Sequence, residues 1–309
     1  LSVAFLFPGQ GSQVPGMLHK LPDHPVIRQT LDEISESLGA DVQELDTTEA
    51  LRSTVSVQLA LLASGVAVAR ALMAEGAAPE AVAGMSAGAF SAAIAAGVLD
   101  LADGVRLIKQ RGEMMVELYP HGYGLAAIVG LTEKEVSTLV AEVFTTQQPV
   151  YVANINAPRQ IVIAGSDQGM NRVLEAARKR GALKAVRLEV SQPSHCLLLK
   201  PVADALKISL QKSHLQEPKM VYVGNVNGRA LRSASAIAED LATNIAHGVR
   251  WYDATTVLVE LGCRLFVEMP PGNILSDLGR ETFPEVTTLA VSETSLAHVV
   301  QLARQFKRD

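Results

Sequence analysis

Residues 81–90, AVAGMSAGAF, set one hydroxyl between two glycines, after a short apolar run and ahead of an alanine-rich stretch with helical spacing. Read as strand, sharp turn and helix, the segment puts Ser86 on the corner of an α/β unit, where glycines permit the turn that exposes a hydroxyl. The first N–H groups of the following helix then point at the same place. G-x-S-x-G also arises by chance, and the plainer reading is a strand-to-helix turn that needs only small residues. The rest of the chain has to separate the two.

Working outward, strand-like and helix-like segments alternate without a repeat period or long linker, as in an α/β architecture. SVAFLFPGQGSQ (2–13) reads as a buried strand stopped by Pro8 and a glycine loop. SVQLALLASGVAVARALMAEG (56–76) has helical spacing and closes on a glycine suited to a C-cap. EAVAG (80–84) is the next strand, AGAFSAAIAAG (87–97) its helix, and Asp100 can cap the helix over 101–119. Between 123 and 190 the order becomes LAAIVGL strand, EKEVSTLVAEV helix, VYVANINA and QIVIAG strands, QGMNRVLEAARKRG helix, KAVRLEV strand. That βαββαβ order is the ferredoxin-like plan. It predicts a small subdomain over 123–190 inserted into a large α/β domain with a parallel sheet, formed by 1–122 and 191–309. Helix LLLKPVADALKISLQK, then KMVYVGNV, TTVLVELG and RLFVEM as strand, helix and strand, complete the large domain. Two lobes make a cleft, and clefts between lobes are common ligand sites.

The chain has 309 residues, is 48% hydrophobic and carries a formal charge of −5, enough for a sizeable core and with no overall electrostatic attraction to nucleic acid. Its longest apolar stretches, near 56–75 and 81–99, are broken by Gly, Ser, Arg and Gln, and no basic-then-apolar leader opens it. We therefore expect neither a signal peptide nor a membrane span. Two cysteines, Cys196 and Cys263, argue against a disulfide framework and for a reducing, cytoplasmic compartment.

A serine nucleophile needs a base, and seven histidines compete. His195, in SQPSHC between a strand and a helix, occupies the strand-end edge where α/β sites gather. His19, His24 and His121 sit in turn-rich segments, His214 and His298 look like solvated helix positions, and His247 in NIAHGVRW is a weaker rival. Cys196 is a less suitable nucleophile beside that histidine and reads as a small apolar residue. The glycines flanking Gln10 in FPGQGSQ let its backbone N–H turn toward an oxyanion, with the Ala87 amide as a natural second donor. No Gly-Lys-Ser/Thr follows, so a phosphate loop is incomplete. Arg111 shares a helix face with Leu107, Ile108, Met114 and Met115. A cation there needs an anion: either an internal carboxylate, or the carboxylate of a bound substrate gripped by the planar guanidinium.

FPGQGSQ, QLALLASGVA, GMSAGAF, KQRGEMM, AAIVGL, VANINAPRQIVIAG, SQPSHC, VRWYDAT and FVEMPPGNIL, in this order and over nearly the whole chain, resemble the malonyl-CoA:acyl-carrier-protein transacylase family. The resemblance implies an α/β-hydrolase-like fold with a ferredoxin-like subdomain. It implies Ser86 as acyl-accepting nucleophile, His195 as its base, backbone oxyanion donors at Gln10 and Ala87, and Arg111 paired with the malonyl carboxylate. Gln58 matches a further active-site glutamine, and Asn244 falls where a main-chain carbonyl orients the histidine, so no acidic third member is required. Malonyl-CoA is then the acyl donor and the thiol of an acyl carrier protein the acceptor, with no bound metal or redox cofactor. The basic run over 177–187 is a candidate surface for an acidic carrier, or simply a solvated helix face.

Within the family, YPHGYGLAAIVGL, GAFSAAIAAG, PSHC and VEMPPG look most like the malonate decarboxylase epsilon subunit, which loads malonyl onto a dedicated carrier and would bring that enzyme's other subunits as partners. A transacylase of fatty-acid synthesis is the alternative. Two positions depart from the family's pattern: Met85 stands where His usually precedes the serine, and Ser194 stands where strictly malonyl-selective members often have Phe. The first bears on rate or acyl preference, the second on exclusion of branched acyl groups. A serine hydrolase and a noncatalytic assembly subunit are the competing readings.

Overall fold

The computed structural model describes residues 1–307. Its central strand, β1 (Val3–Phe7), is buried at every position, as expected of a parallel strand covered on both faces. β1 lies between β2 (Ala81–Gly84) and β9 (Leu265–Glu268) in a six-stranded sheet of order β10-β9-β1-β2-β7-β8, with β7 at Val221–Val223, β8 at Ala230–Leu231 and β10 at Thr287–Ala290. All pairs are parallel except the β7/β8 hairpin at one edge. Side-chain alternation along β1 sends Val3, Phe5 and Phe7 into one core and Ala4 and Leu6 into a second.

The first core is filled by α2 (Thr54–Ala74), which packs against α1 (Pro25–Leu38), α3 (Gly88–Ala95) and α4 (Leu101–Leu118). α2 is long and apolar enough to cross a membrane by length and composition, yet most of it is buried inside the protein. It is a core helix, apolar on nearly all sides because neighbours surround it. α2 ends at Ala74, and Gly76 takes the left-handed φ of 87° that closes a helix. Asp100 accepts from the Asp103 N–H and starts α4. The second core is covered by α9 (Trp251–Glu260) and α10 (Ile274–Thr282).

The four strands β3 (Tyr123–Val129), β4 (Val150–Ala157), β5 (Gln160–Ser166) and β6 (Lys184–Arg187) form a separate antiparallel sheet of order β4-β5-β3-β6. α5 (Glu133–Val143) and α6 (Asp167–Lys179) share its core. Alternate burial along β3 marks one covered face. α5 starts on a reciprocal Thr132/Glu135 capping box and α6 on Ser166. The fold is thus an α/β-hydrolase-like core carrying a ferredoxin-like subdomain, as expected. β4 is tied to the segment preceding α9, where Val249 N–H donates to Ala153 O at 2.8 Å and Ile155 N–H to Val249 O at 2.9 Å.

Three details differ from the sequence reading. The strand expected over 184–190 leaves the ladder after Arg187; Leu188 N–H still reaches Leu125 O at 2.9 Å, and the chain then runs into the cleft. His214 is not on a helix: α7 (Lys200–Gln211) has ended, and His214 is exposed in the following turn. α1, α8 (Ala234–Thr243), α10, α11 (Leu296–Phe306) and the edge strands β8 and β10 went unread because their apolar runs are short and interrupted by polar residues.

Candidate active site

β2 stops at Gly84 and α3 begins at Gly88, leaving Met85–Ala87 to make the corner. Close packing makes both glycines obligatory. A Cβ on Gly84 would lie 2.1 Å from Gly88 O, and one on Gly88 would lie 2.2 Å from Phe7 O. Ser86 itself adopts φ 56°, a left-handed conformation costly for a residue with a side chain and concentrated at functional sites.

His195 is the other non-glycine residue with positive φ among the described residues, 58°. Its N–H donates to Ile245 O at 2.7 Å and its Nδ1 bonds the Asn244 carbonyl at 2.6 Å. A carbonyl only accepts, so Nδ1 carries the proton and Nε2 is free to accept. Nε2 lies 2.7 Å from Ser86 Oγ, so the hydroxyl donates to it. Burial, reinforced by the charge of Arg111, lowers the imidazole pKa from 6.5 to about 3, so the ring is neutral at pH 7. The orienting group is a peptide carbonyl in place of an acid.

Arg111, on α4, is 1% exposed. Its Nη1 donates to Gln58 Oε1 at 2.7 Å and its Nη2 to Ser86 Oγ at 3.1 Å, while Nε is buried without an acceptor. Among the described residues it forms no ion pair. The internal carboxylate weighed from the sequence is not there. Desolvation pulls the guanidinium down to about 9, leaving it charged at neutral pH. A buried cation lacking its anion, with an N–H to spare and a serine hydroxyl beside it, is built to receive an anionic group from outside.

Gln58, expected to touch substrate, touches Arg111; its Nε2 is spent on Met115 Sδ at 3.4 Å. The glycine loop packs on the serine corner, where a Cβ on Gly9 would lie 2.8 Å from Met85 O and 3.4 Å from Ser86 Cβ. Neither the Gln10 nor the Ala87 main-chain N–H meets an acceptor among the described residues. Gln10 Nε2 reaches Thr54 Oγ1, which donates to Gln192 Oε1, linking the glycine loop to the histidine segment. Met85 is partly buried against the second core, and Ser194 is buried beside His195. The Cys196 thiol is pushed up to about 12 by burial, which disqualifies it as a thiolate nucleophile. His247 is exposed, its Nδ1 bonded to Thr243 O, away from Ser86.

A cleft of about 600 Å³ leads to the glycine loop, lined by Gln10 and Thr54 on the large lobe and by Tyr123, Asp167 and Arg187 on the small one. A larger cavity, about 870 Å³ between Asp23 and α11, shares no residue with the site. No group of three or more His, Cys, Asp or Glu suited to a metal occurs among the described residues. Asn225, just past β7, escaped the sequence reading although it contacts the elbow directly: its Oδ1 accepts from Ser86 N–H at 2.9 Å. The only signal was an asparagine at a strand end in VYVGNVNG.

A serine on a strand–helix elbow, bonded to a buried neutral histidine within an α/β-hydrolase-like core, defines the class as an acyl-transfer enzyme. The chain belongs to the acyl transferase domain family, whose model matches residues 4–308. It is 37% identical over 298 residues to the malonyl CoA-acyl carrier protein transacylase of Escherichia coli (strain K12), covering 94% of this chain and 96% of that one. It is 35% identical over 296 residues to the same-named protein of Bacillus subtilis (strain 168), covering 94% and 93%. In three dimensions it matches the Coxiella burnetii malonyl CoA-acyl carrier protein transacylase with a TM-score of 0.93 at 33% identity, over 99% of this chain and 98% of that one. A malonyl-transacylase in complex with a type II PKS acyl-carrier protein matches with 0.92 at 36%, over 98% and 100%. The protein is an acyltransferase.

Proposed function

We propose that this acyltransferase moves malonyl from malonyl-CoA to the thiol of an acyl carrier protein through a malonyl ester on Ser86. His195 Nε2 takes the Ser86 proton as Oγ bonds the thioester carbonyl carbon. Negative charge on the carbonyl oxygen is held by the Gln10 and Ala87 amides, worth about 3 kcal/mol per donor. The C–S bond then breaks and the imidazolium returns its proton to the departing CoA sulfur. The carrier thiol enters by the same cleft and reverses these steps, regenerating Ser86. Throughout, Arg111 binds the malonyl carboxylate, with Gln58 holding the guanidinium in place. The large domain, 1–122 with 191–309, supplies these groups, and the subdomain over 123–190 forms the other wall of the cleft.

The observation that carries this reading is the buried, unpaired Arg111 donating to the hydroxyl that His195 accepts from. An acetyl-transfer enzyme or a general hydrolase has no use for a desolvated cation at that place. For the acceptor, we retain the malonate decarboxylase carrier on the motifs quoted above, with a fatty-acid carrier as the alternative; the relatives' names support an acyl carrier protein in general. Malonyl-CoA turnover measured with each carrier and with none tests the proposal. Transfer to a carrier with slow loss in its absence is expected. Rapid turnover without any thiol acceptor would make the protein a hydrolase, and preference for the fatty-acid carrier would remove the decarboxylase assignment.

A further inference from the structure

Every polar group of Asn225 has a partner, and its side chain bonds the corner that carries Ser86 at both ends. Its Oδ1 accepts from Ser86 N–H at 2.9 Å, and its Nδ2 donates to Gly84 O at 2.9 Å, so one carboxamide spans the corner on which the serine sits. Its carbonyl accepts from Arg250 N–H at 2.8 Å, at the end of the segment whose Asn244 and Ile245 carbonyls hold His195. Its own N–H donates to Asp240, at 2.9 and 3.1 Å from the two carboxylate oxygens, and Val226 N–H joins it at 2.9 Å. Asn225 is 2% exposed and Asp240 5%, so water does not substitute for any of these bonds.

The corner needs such a clamp. Ser86 is held at φ 56°, where a side chain is disfavoured, and its N–H, one residue after Met85 N–H makes the last bond to Phe7 O, goes to Asn225 Oδ1. Only an external acceptor can satisfy that amide. A carboxamide is the group that fits, because the adjoining Gly84 carbonyl demands a donor from the same side chain.

We propose that Asn225 is a positioning residue for acyl transfer: its carboxamide, backed by Asp240, fixes Ser86 in the left-handed corner so that Oγ meets His195 Nε2. This rests on Ser86 being the acylated residue. The wild-type control separates the two claims, since absence of a malonyl-enzyme burst there would fail the parent reading alone. In Asn225→Ala, rapid-quench measurement of that burst gives an amplitude, which counts competent sites, and a rate, which reports orientation. The expected result is a burst rate lower by about 100-fold, the scale of an ångström-sized misplacement, with the half-saturating malonyl-CoA concentration within twofold of wild type. A merely structural role would lower the amplitude and leave the rate unchanged, and that result overturns the proposal. If Asn225→Ala does not fold, Asn225→Asp decides: it keeps an acceptor for Ser86 N–H but sets an oxygen against Gly84 O. A burst about tenfold slower than wild type supports the clamp, and a wild-type rate in that variant refutes it.

Discussion

Arg111 Nη2 lies 3.1 Å from Ser86 Oγ, and no carboxylate of the described residues pairs with its guanidinium. Moving a cation out of water without a partner costs several kcal/mol. A fold retains such a charge where its anion arrives with the substrate.

Removing that charge should therefore separate function from stability. Arg111→Met keeps an apolar side chain of similar length beside Met115 but leaves Gln58 Oε1 and Ser86 Oγ without their Arg111 donors. Relief of desolvation outweighs that loss, and the variant should be more stable by about 1 kcal/mol in chemical denaturation. Its malonyl transfer should fall by about 2–5 kcal/mol in kcat/KM, the usual penalty for truncating a buried charge pair. Acetyl transfer, which uses no carboxylate contact, should change by less than about tenfold. Equal loss with both donors would show that Arg111 serves only the architecture.

The acid side of the stability profile should carry a signature of His195. The folded imidazole resists protonation down to about 3, whereas an unfolded one takes a proton near 6.5. Below 6.5 the unfolded state thus binds more protons, and stability falls as pH drops from about 6.5 toward 3, by up to about 1.4 kcal/mol per pH unit. Asp240 and Glu268, whose carboxyl pKa values burial raises, act with the opposite sign but equally in a variant. Denaturant titrations of wild type and His195→Gln between pH 4 and 7 should differ in slope by close to one proton. Parallel profiles would contradict a buried, neutral His195.

The elbow glycines should be intolerant of a single methyl. In Gly88→Ala the new Cβ would meet Phe7 O at 2.2 Å and Pro8 O at 2.7 Å, both main-chain atoms. The cost should be about 3 kcal/mol or more, the upper range for overpacking, read as a shift in the denaturation midpoint. An unchanged midpoint would mean the corner can open without disturbing β1.

Much of this was legible in advance because it is local. The G-x-S-x-G corner and the apolar face around Arg111 are each written within a few consecutive residues, and the βαββαβ order is the succession of such local segments along 123–190. What the sequence could not supply was pairing across distance. Nothing in KQRGEMM distinguishes an arginine with a hidden carboxylate from one without; only the packed fold reveals that Arg111 meets Gln58, Ser86 and Met115 Sδ and no carboxylate among the described residues. Asn225 is 139 residues from Ser86, and its bond depends on β7 lying beside β2, a topological fact with no local trace. The exit of the chain from β6 after Arg187 was likewise invisible, since LEV continues an apolar alternation that the sheet itself does not use.

The central claim is that Ser86 becomes an ester of the malonyl group. Intact-mass analysis of the protein after brief exposure to malonyl-CoA, beside Ser86→Ala, tests it most directly. Wild type should gain a single malonyl group that peptide mapping places on Ser86 and that a carrier thiol removes, while the alanine variant gains none. A malonyl adduct of equal yield in Ser86→Ala, or no adduct in either protein, would contradict the account.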